Sequence, residues 1–175
     1  MSEVHFESRL SRIGNLTLLR LPKGASAKLP SRGMVMAKGT INGYSFEAPL
    51  EPDGKGGHWL KVDGAMRKAI GADAGESAKL EIEPIKKWPE PKVPGDLRKA
   101  LATDRQAQHL WADITSNSRW DWIRWINATR NPETRGIRIE KTLSKLKSGK
   151  RSACCFDRSQ CTEPEVSRNG VLLDA

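Results

Sequence analysis

The sequence predicts an α+β protein with two parts, a small N-terminal β-barrel followed by a C-terminal α-helical domain. Three observations predict this order. Before residue 87, apolar and polar residues alternate in six short segments, which is typical of strands with one buried face. A proline-rich segment follows at residues 88–94. Beyond it, apolar residues recur every three or four positions, as in amphipathic helices.

The alternating segments are the predicted strands of the barrel. The dipeptide Asn42-Gly43 joins the third segment to the fourth, and it favours a tight hairpin because both residues tolerate positive φ. The predicted strands span residues 4–10, 19–21, 34–41, 44–50, 58–62 and 78–83.

A weak internal repeat runs through this half of the chain. Each copy consists of a strand, a short helical stretch, a glycine turn and a second strand. The first copy starts near Leu19 and the second near Leu60, an offset of about 41 residues. Two such copies predict a closed barrel, because closure removes exposed sheet edges.

The prolines at residues 89, 91 and 94 predict a linker, since neither a helix nor a central strand passes through them. After the linker, Ser118 with Asp121 resembles a capping box, and Asn131-Pro132-Glu133 is a helix start signal. The predicted helices cover residues 96–102, 104–114, 118–126 and 132–147. The predicted domains are a barrel at 1–87, a linker at 88–94, a basic helical domain at 95–151 and a cysteine-containing tail at 152–175.

The net charge of +9 is concentrated in the second half of the chain. Residues 86–153 hold 16 basic and 7 acidic side chains, which favours an acidic partner such as nucleic acid, an anionic membrane surface or an acidic protein. Four cations of the last predicted helix are spaced three, three and four residues apart and share one face. Either they contact phosphates, or they form a solvated face favoured by the helix dipole. The candidate binding residues are Arg135, Arg138, Lys141, Lys145, Lys150 and Arg151.

Motifs of common enzymes are missing from the sequence. The glycine cluster at residues 54–57 has neither the P-loop nor the dinucleotide-binding spacing, and no nucleophile elbow or H-E-x-x-H motif occurs. We therefore expect a protein that is not an enzyme and has no cofactor. His58 and Trp59 follow the glycine loop and are candidates for lining a pocket, although a histidine at a strand end is more often solvent-exposed.

Three cysteines, an odd number, indicate a reducing cytoplasm rather than a secreted disulfide scaffold. We expect neither a signal peptide nor a membrane span. The cysteines at 154, 155 and 161 lack the C-x2-C spacing of zinc sites, so free thiols are favoured and Cys154, Cys155 and Cys161 are only weak metal candidates. Among the tryptophans, Trp120 lies off the predicted apolar face and is a candidate for an exposed contact.

Several runs resemble known bacterial families. GTING at residues 39–43, GHWLKV at 57–62 and MRKAIG at 66–71 resemble the DUF1905 domain, whose function is unknown. ETR at 133–135 and SGKR at 148–151 resemble the YdeI/OmpD-associated domain, which is often labelled bacteriocin-protection.

The resemblance implies a double-split barrel, similar in shape to the AbrB- and MazE-type barrels that bind DNA as swapped dimers, and a homodimer is therefore among the expected states. It also implies a non-enzymatic role by binding in bacteriocin protection or stress resistance. The barrel segment carries a net charge of only +2, so shape alone does not transfer DNA binding. Two alternatives stay open: a nucleic-acid-binding regulator that uses the basic helix, and a small-ligand module or enzyme at the barrel loop around His58.

Overall fold

The computed structural model describes residues 3–153 and 157–174. The chain forms two compact units. Of the described residues, 3–86, 157–161 and 165–174 belong to the barrel unit, and 87–153 and 162–164 belong to the helical unit. The predicted tail at 152–175 is therefore not a separate segment, because most of its described residues belong to the barrel unit.

Six antiparallel strands close the barrel in the order β1-β2-β5-β4-β3-β6, which confirms the predicted fold class. Two short helices, α1 (Lys23–Ser26) and α2 (Gly64–Ile70), connect strands. The strands are β1 (Val4–Ile13), β2 (Leu16–Arg20), β3 (Val35–Ile41), β4 (Tyr44–Pro52), β5 (His58–Lys61) and β6 (Ser77–Pro84).

The strand register has an approximate two-fold symmetry. Leu19 of β2 lies opposite Leu60 of β5, and Thr40 of β3 lies opposite Glu81 of β6. Both pairs join residues 41 positions apart, so each residue faces its own counterpart in the other repeat. The β1–β2 pairing corresponds to the β4–β5 pairing with a register shift of one residue, because Leu10 pairs with Leu19 whereas Leu50 pairs with Leu60. The structure thus confirms the repeat and extends it to β1-β2-α1-β3 and β4-β5-α2-β6.

Apolar side chains from all six strands fill the barrel. Burial of each large aliphatic side chain contributes roughly 1.5–3 kcal/mol to folding. Gly39 of β3 lies against the backbone of the paired strand β6: a Cβ there would lie 1.9 Å from the Glu81 carbonyl oxygen, so this position requires glycine. Fully buried members of this core include Leu10, Leu19, Ile41, Leu50, Leu60, Leu80 and Ile82.

A C-terminal hairpin, β7 (Ser167–Arg168) and β8 (Val171–Leu172), packs on the outside of the barrel. Leu172 and Cys161 are buried there in a small cluster with Trp59. This hairpin is absent from the predicted strands, although Asn169 and Gly170 adopt positive φ and form the same Asn-Gly signal as the turn between β3 and β4.

The helical unit contains α3 (Gly95–Ala102), α4 (Arg105–Asp113), α5 (Ser116–Asn127) and α6 (Pro132–Lys147). As predicted, Asn131 caps α6 by accepting hydrogen bonds from the N–H groups of Glu133 and Thr134. The predicted capping box at Ser118 is wrong: Thr115 caps α5 and accepts from the N–H of Ser118. The core of this unit includes Leu97, Trp111, Trp122, Ile126, Ile139 and Leu146.

Across the described ranges, every helix is too short or too polar to cross a membrane.

Candidate functional site

Arg135 is the first of the four α6 cations that were predicted to share one helix face, and it joins α6 to the ends of α3 and α5. Its guanidinium contacts the Asp96 carboxylate at two points, Nε–Oδ2 at 3.0 Å and Nη2–Oδ1 at 3.1 Å. It also donates to the Ile126 carbonyl at 3.2 Å and to Asn127 Oδ1 at 3.0 Å. The Arg135 hydrogen bonds hold the pKa of the Asp96 carboxyl below its usual range. Arg135 is therefore mainly a structural clamp.

Arg138 and Lys145 both face the indole of Trp125. The Arg138 Cζ lies 5.3 Å from the ring centroid and the Lys145 Nζ lies 5.9 Å from it, within the range of cation–π attraction. Arg138 also donates to the Trp125 carbonyl at 2.6 Å, and Trp125 packs edge-on against Trp122 at 6.0 Å. These two cations thus extend the core packing between α5 and α6.

Farther along the basic segment, Arg151 contacts Asp113 through an ion pair at 3.1 Å and a hydrogen bond to the carbonyl at 2.8 Å. Lys147 likewise pairs with Asp104 at 2.6 Å. Only Lys141 and Lys150, among the six candidate binding residues, are exposed and form no ion pair with a described residue. The shared spacing identified a common helix face, but most of that face binds the chain's own carboxylates, carbonyls and indole.

The prediction of an exposed Trp120 is wrong. Its side chain is half-buried, and its Nε1 donates to the Pro89 carbonyl at 2.8 Å. Arg119 forms an ion pair with Glu90 beside it. The proline-rich segment is consequently packed on α5 as part of the helical unit, and it is not a free linker.

His58 and Trp59 are buried, with exposed fractions of 1% and 2%. The His58 Nε2 donates to the Gly33 carbonyl at 3.0 Å, and the Trp59 Nε1 donates to the Pro52 carbonyl at 3.2 Å. Burial lowers the pKa of His58 below its ordinary value of 6.5, so the imidazole is neutral near pH 7. The expectation of a solvent-exposed histidine is wrong, and neither side chain lines the cavity beside it.

That cavity is a groove of about 920 Å³ on the barrel unit, within the size range of small-ligand sites. One side is the β4–β5 loop at residues 53–57, the other is α1 with the residues that follow it, and Ser159 of the C-terminal segment also lines it. The charged and hydroxyl-bearing residues of the groove are Lys23, Ser26, Ser31, Arg32, Asp53, Lys55 and Ser159.

The β4–β5 loop is fixed from two sides. The Asp53 Oδ1 accepts hydrogen bonds from the N–H groups of Lys55 at 2.7 Å and Gly57 at 2.9 Å. From the other side, the Leu172 N–H donates to the Asp53 carbonyl at 2.9 Å. Gly54 has φ +84°, and a Cβ there would lie 2.1 Å from the Gly170 carbonyl oxygen. The C-terminal hairpin therefore holds this wall of the groove in place.

The groove is rich in hydrogen-bond donors and positive charge. Lys23, Arg32 and Lys55 are exposed, and none forms an ion pair within the described residues. Ser26 is only 6% exposed, and its Oγ has no hydrogen-bond partner in the described structure. Such an arrangement matches an acceptor-rich, anionic ligand. The sequence predicted a small-ligand site at this loop but assigned it to His58 and Trp59, since the residues that do line the groove come from three separate segments.

A second cavity of about 260 Å³ lies beside the paired strands β3 and β6. Its lining includes Lys38, which pairs with Glu83 at 3.3 Å. Glu3 and Glu81 also line this cavity, so its charged lining is mainly negative, in contrast to that of the groove.

The cysteine candidates fall into two groups. Cys161 is buried in the cluster that packs the C-terminal hairpin on the barrel, and Cys154 and Cys155 lie outside the described residues. Within residues 3–153 and 157–174, no group of three or more His, Cys, Asp or Glu side chains has the arrangement of a metal site.

Comparison with protein families gives two matches. The profile described as a domain of unknown function, DUF1905, matches residues 6–82. The profile described as "Bacteriocin-protection, YdeI or OmpD-Associated" (OmdA) matches residues 90–149. No curated protein sequence matches the chain significantly. The matches confirm both resemblances in their predicted order: the DUF1905 match covers most of the six barrel strands, and the OmdA match covers α3 to α6.

Proposed function

We propose that this protein acts by binding a small ligand in the groove of its barrel unit, without catalysing a reaction. The observation that carries the proposal is the groove itself, a cavity of about 920 Å³ whose lysine and arginine side chains form no internal ion pair with described residues.

The groove has more structural support than the basic helix as a binding surface. Polyanion binding through α6 needs several cations that are free to contact phosphates. Arg135, Arg138 and Arg151 instead contact Asp96, Trp125 and Asp113. Of the six residues predicted to bind nucleic acid, only Lys141 and Lys150 are exposed and form no ion pair with a described residue.

The biological role that fits this proposal is protection against bacteriocins or a related stress, in the bacterial cytoplasm. The family description of the OmdA domain supports the protective role. A binding protein would act there by holding a small molecule or by changing its partner interactions when the ligand is bound. The barrel groove supplies the ligand site in this proposal, and the helical unit remains available for a macromolecular partner.

A ligand screen with matched variants tests the proposal. Metabolite panels are screened for a rise in the melting temperature of the native chain, since a ligand at about 100 times its Kd stabilises the folded state by about 2.7 kcal/mol. Each hit is then measured on Arg32→Ala/Lys55→Ala and on the control Lys141→Ala/Lys150→Ala, which removes the same charge from α6 and the segment that follows it.

We expect a hit to stabilise the native chain and the control but not the groove variant, and to be recovered unchanged after incubation. A panel without any hit would contradict the proposal, as would a hit that depends on Lys141 and Lys150. Turnover of the hit by the purified chain would show that the protein is an enzyme.

A further inference from the structure

We infer that the ligand of the barrel groove carries a phosphate group. This inference rests on the proposed function and specifies the chemistry that the groove recognises. Its first support is the charge of the lining, where Lys23, Arg32 and Lys55 face a single carboxylate, Asp53. A phosphate monoester carries close to two negative charges near pH 7, so it would neutralise the excess positive charge.

The carboxylate is partly used by the protein. The Asp53 Oδ1 accepts from two backbone N–H groups of its own loop, those of Lys55 and Gly57. These hydrogen bonds direct the negative charge of Asp53 toward the β4–β5 loop and hold the loop in one conformation. Asp53 therefore acts mainly as a scaffold for the groove wall.

Backbone donors add to the cations. The N–H groups of Gly54 and Gly56 have no hydrogen-bond partner among the described residues. Both glycines adopt positive φ, +84° and +87°, and loops of this kind present N–H groups to anions. These N–H groups would add donors that are fixed by the loop to the donors of the flexible cationic side chains.

A buried hydroxyl points to an acceptor at the floor of the groove. Ser26 lines the groove, and its Oγ makes no hydrogen bond within the described structure. Leaving a buried hydroxyl without a partner is unfavourable, so this cost is already present in the free protein. A ligand oxygen that reaches Ser26 would relieve it. A phosphate group has enough acceptor oxygens to contact the hydroxyl, the cations and the loop N–H groups together.

The test is an amide NMR titration of the full chain with inorganic phosphate at constant ionic strength, with sodium chloride as the compensating salt. We expect phosphate to shift the resonances of residues 53–57 and 23–32 in a saturable way. Arg32→Ala and Lys55→Ala should each raise the Kd for phosphate about tenfold, because the loss of one charge-assisted hydrogen bond weakens binding by about that factor. Ser26→Ala should weaken it severalfold, and the control Lys141→Ala should leave the Kd unchanged.

The outcomes separate the inference from the proposed function. Saturable shifts confined to the groove, with the variant order given above, support a phosphate site. If a neutral compound from the panel binds the groove while phosphate shifts nothing there, the phosphate inference is wrong and the small-ligand function stands. If neither phosphate nor any panel compound binds, both are wrong. Phosphate shifts centred on residues 132–147 would also overturn the inference.

Discussion

Replacing Arg135 by alanine should destabilise the helical unit more than the loss of an ordinary surface cation would. The Arg135 guanidinium forms the two-point contact with Asp96 and donates to the Ile126 carbonyl at the end of α5. The change therefore removes a tie between α6, α3 and α5. Lys141 lies on the same helix, is exposed and forms no ion pair with a described residue, so Lys141→Ala is the matched control.

The magnitude follows from two contributions. The Asp96 side chain is 46% exposed, so solvent screening limits the pair to about 0.5–1 kcal/mol. The hydrogen bond to the part-buried Ile126 carbonyl adds about 1–1.5 kcal/mol, as charged donors do at partly buried sites. Together they predict a loss of about 2 kcal/mol for Arg135→Ala, against less than about 0.5 kcal/mol for Lys141→Ala.

Urea unfolding followed by tryptophan fluorescence measures this difference. Trp59 lies in the barrel unit and the other tryptophans lie in the helical unit, so a Trp59→Phe background makes the signal specific to the helical unit. A loss of about 2 kcal/mol should lower the urea midpoint by roughly 1 M. A double-mutant cycle with Asp96→Ala should return a coupling of about 0.5–1 kcal/mol.

Equal midpoints for Arg135→Ala and Lys141→Ala would refute this reasoning. So would a variant that keeps its stability but loses affinity for a polyanion, because Arg135 would then be a binding residue rather than a clamp.

Three further changes test other parts of the structure. Because burial lowers the pKa of His58 from 6.5, the unfolded chain takes up a proton at a higher pH than the folded chain does. The free energy of unfolding of the barrel unit should therefore be greatest above pH 6.5 and decrease as the pH falls toward the folded-state pKa. In urea unfolding between pH 5 and 7.5, the stability of His58→Gln should depend less on pH than that of the native chain. Gly54→Ala should destabilise the barrel in thermal unfolding by several kcal/mol, because residue 54 has a left-handed backbone conformation and the new Cβ would clash with the Gly170 carbonyl. Gly56→Ala is the control: a Cβ there has open space, so the variant should lose only about 1–2 kcal/mol. Equal losses for the two variants would contradict the close approach of Gly54 to Gly170. Asn131→Ala should cost the helical unit about 1 kcal/mol, measured by circular dichroism, and an unchanged midpoint would show that the cap is dispensable.

Local patterns were sufficient for most of the secondary structure. The alternation around residues 4–10 and 78–83 depends on which residues face the barrel interior, and the Asn131-Pro132 start signal depends only on backbone N–H groups within one turn. Even the two-fold register was accessible, because an offset of 41 residues in the sequence reappears as the pairing of Leu19 with Leu60.

The candidate sites were less accessible because their environment is set by distant residues. The spacing of the α6 cations does not show that Arg135 binds the carboxylate of Asp96, 39 residues earlier. Nor does the sequence around His58 show that the Gly33 carbonyl, 25 residues earlier, accepts a hydrogen bond from the His58 Nε2–H. The groove brings together α1, the β4–β5 loop and Ser159, and no contiguous motif records that combination.

Hydrogen exchange with the best stabilising ligand from the panel tests the central claim most directly, which is that ligand binding occurs in the barrel groove. Ligands slow amide exchange where they suppress local opening. The account predicts added protection at residues 53–57 and 23–32 and unchanged exchange along α6. Protection along α6 with none at the β4–β5 loop would contradict it.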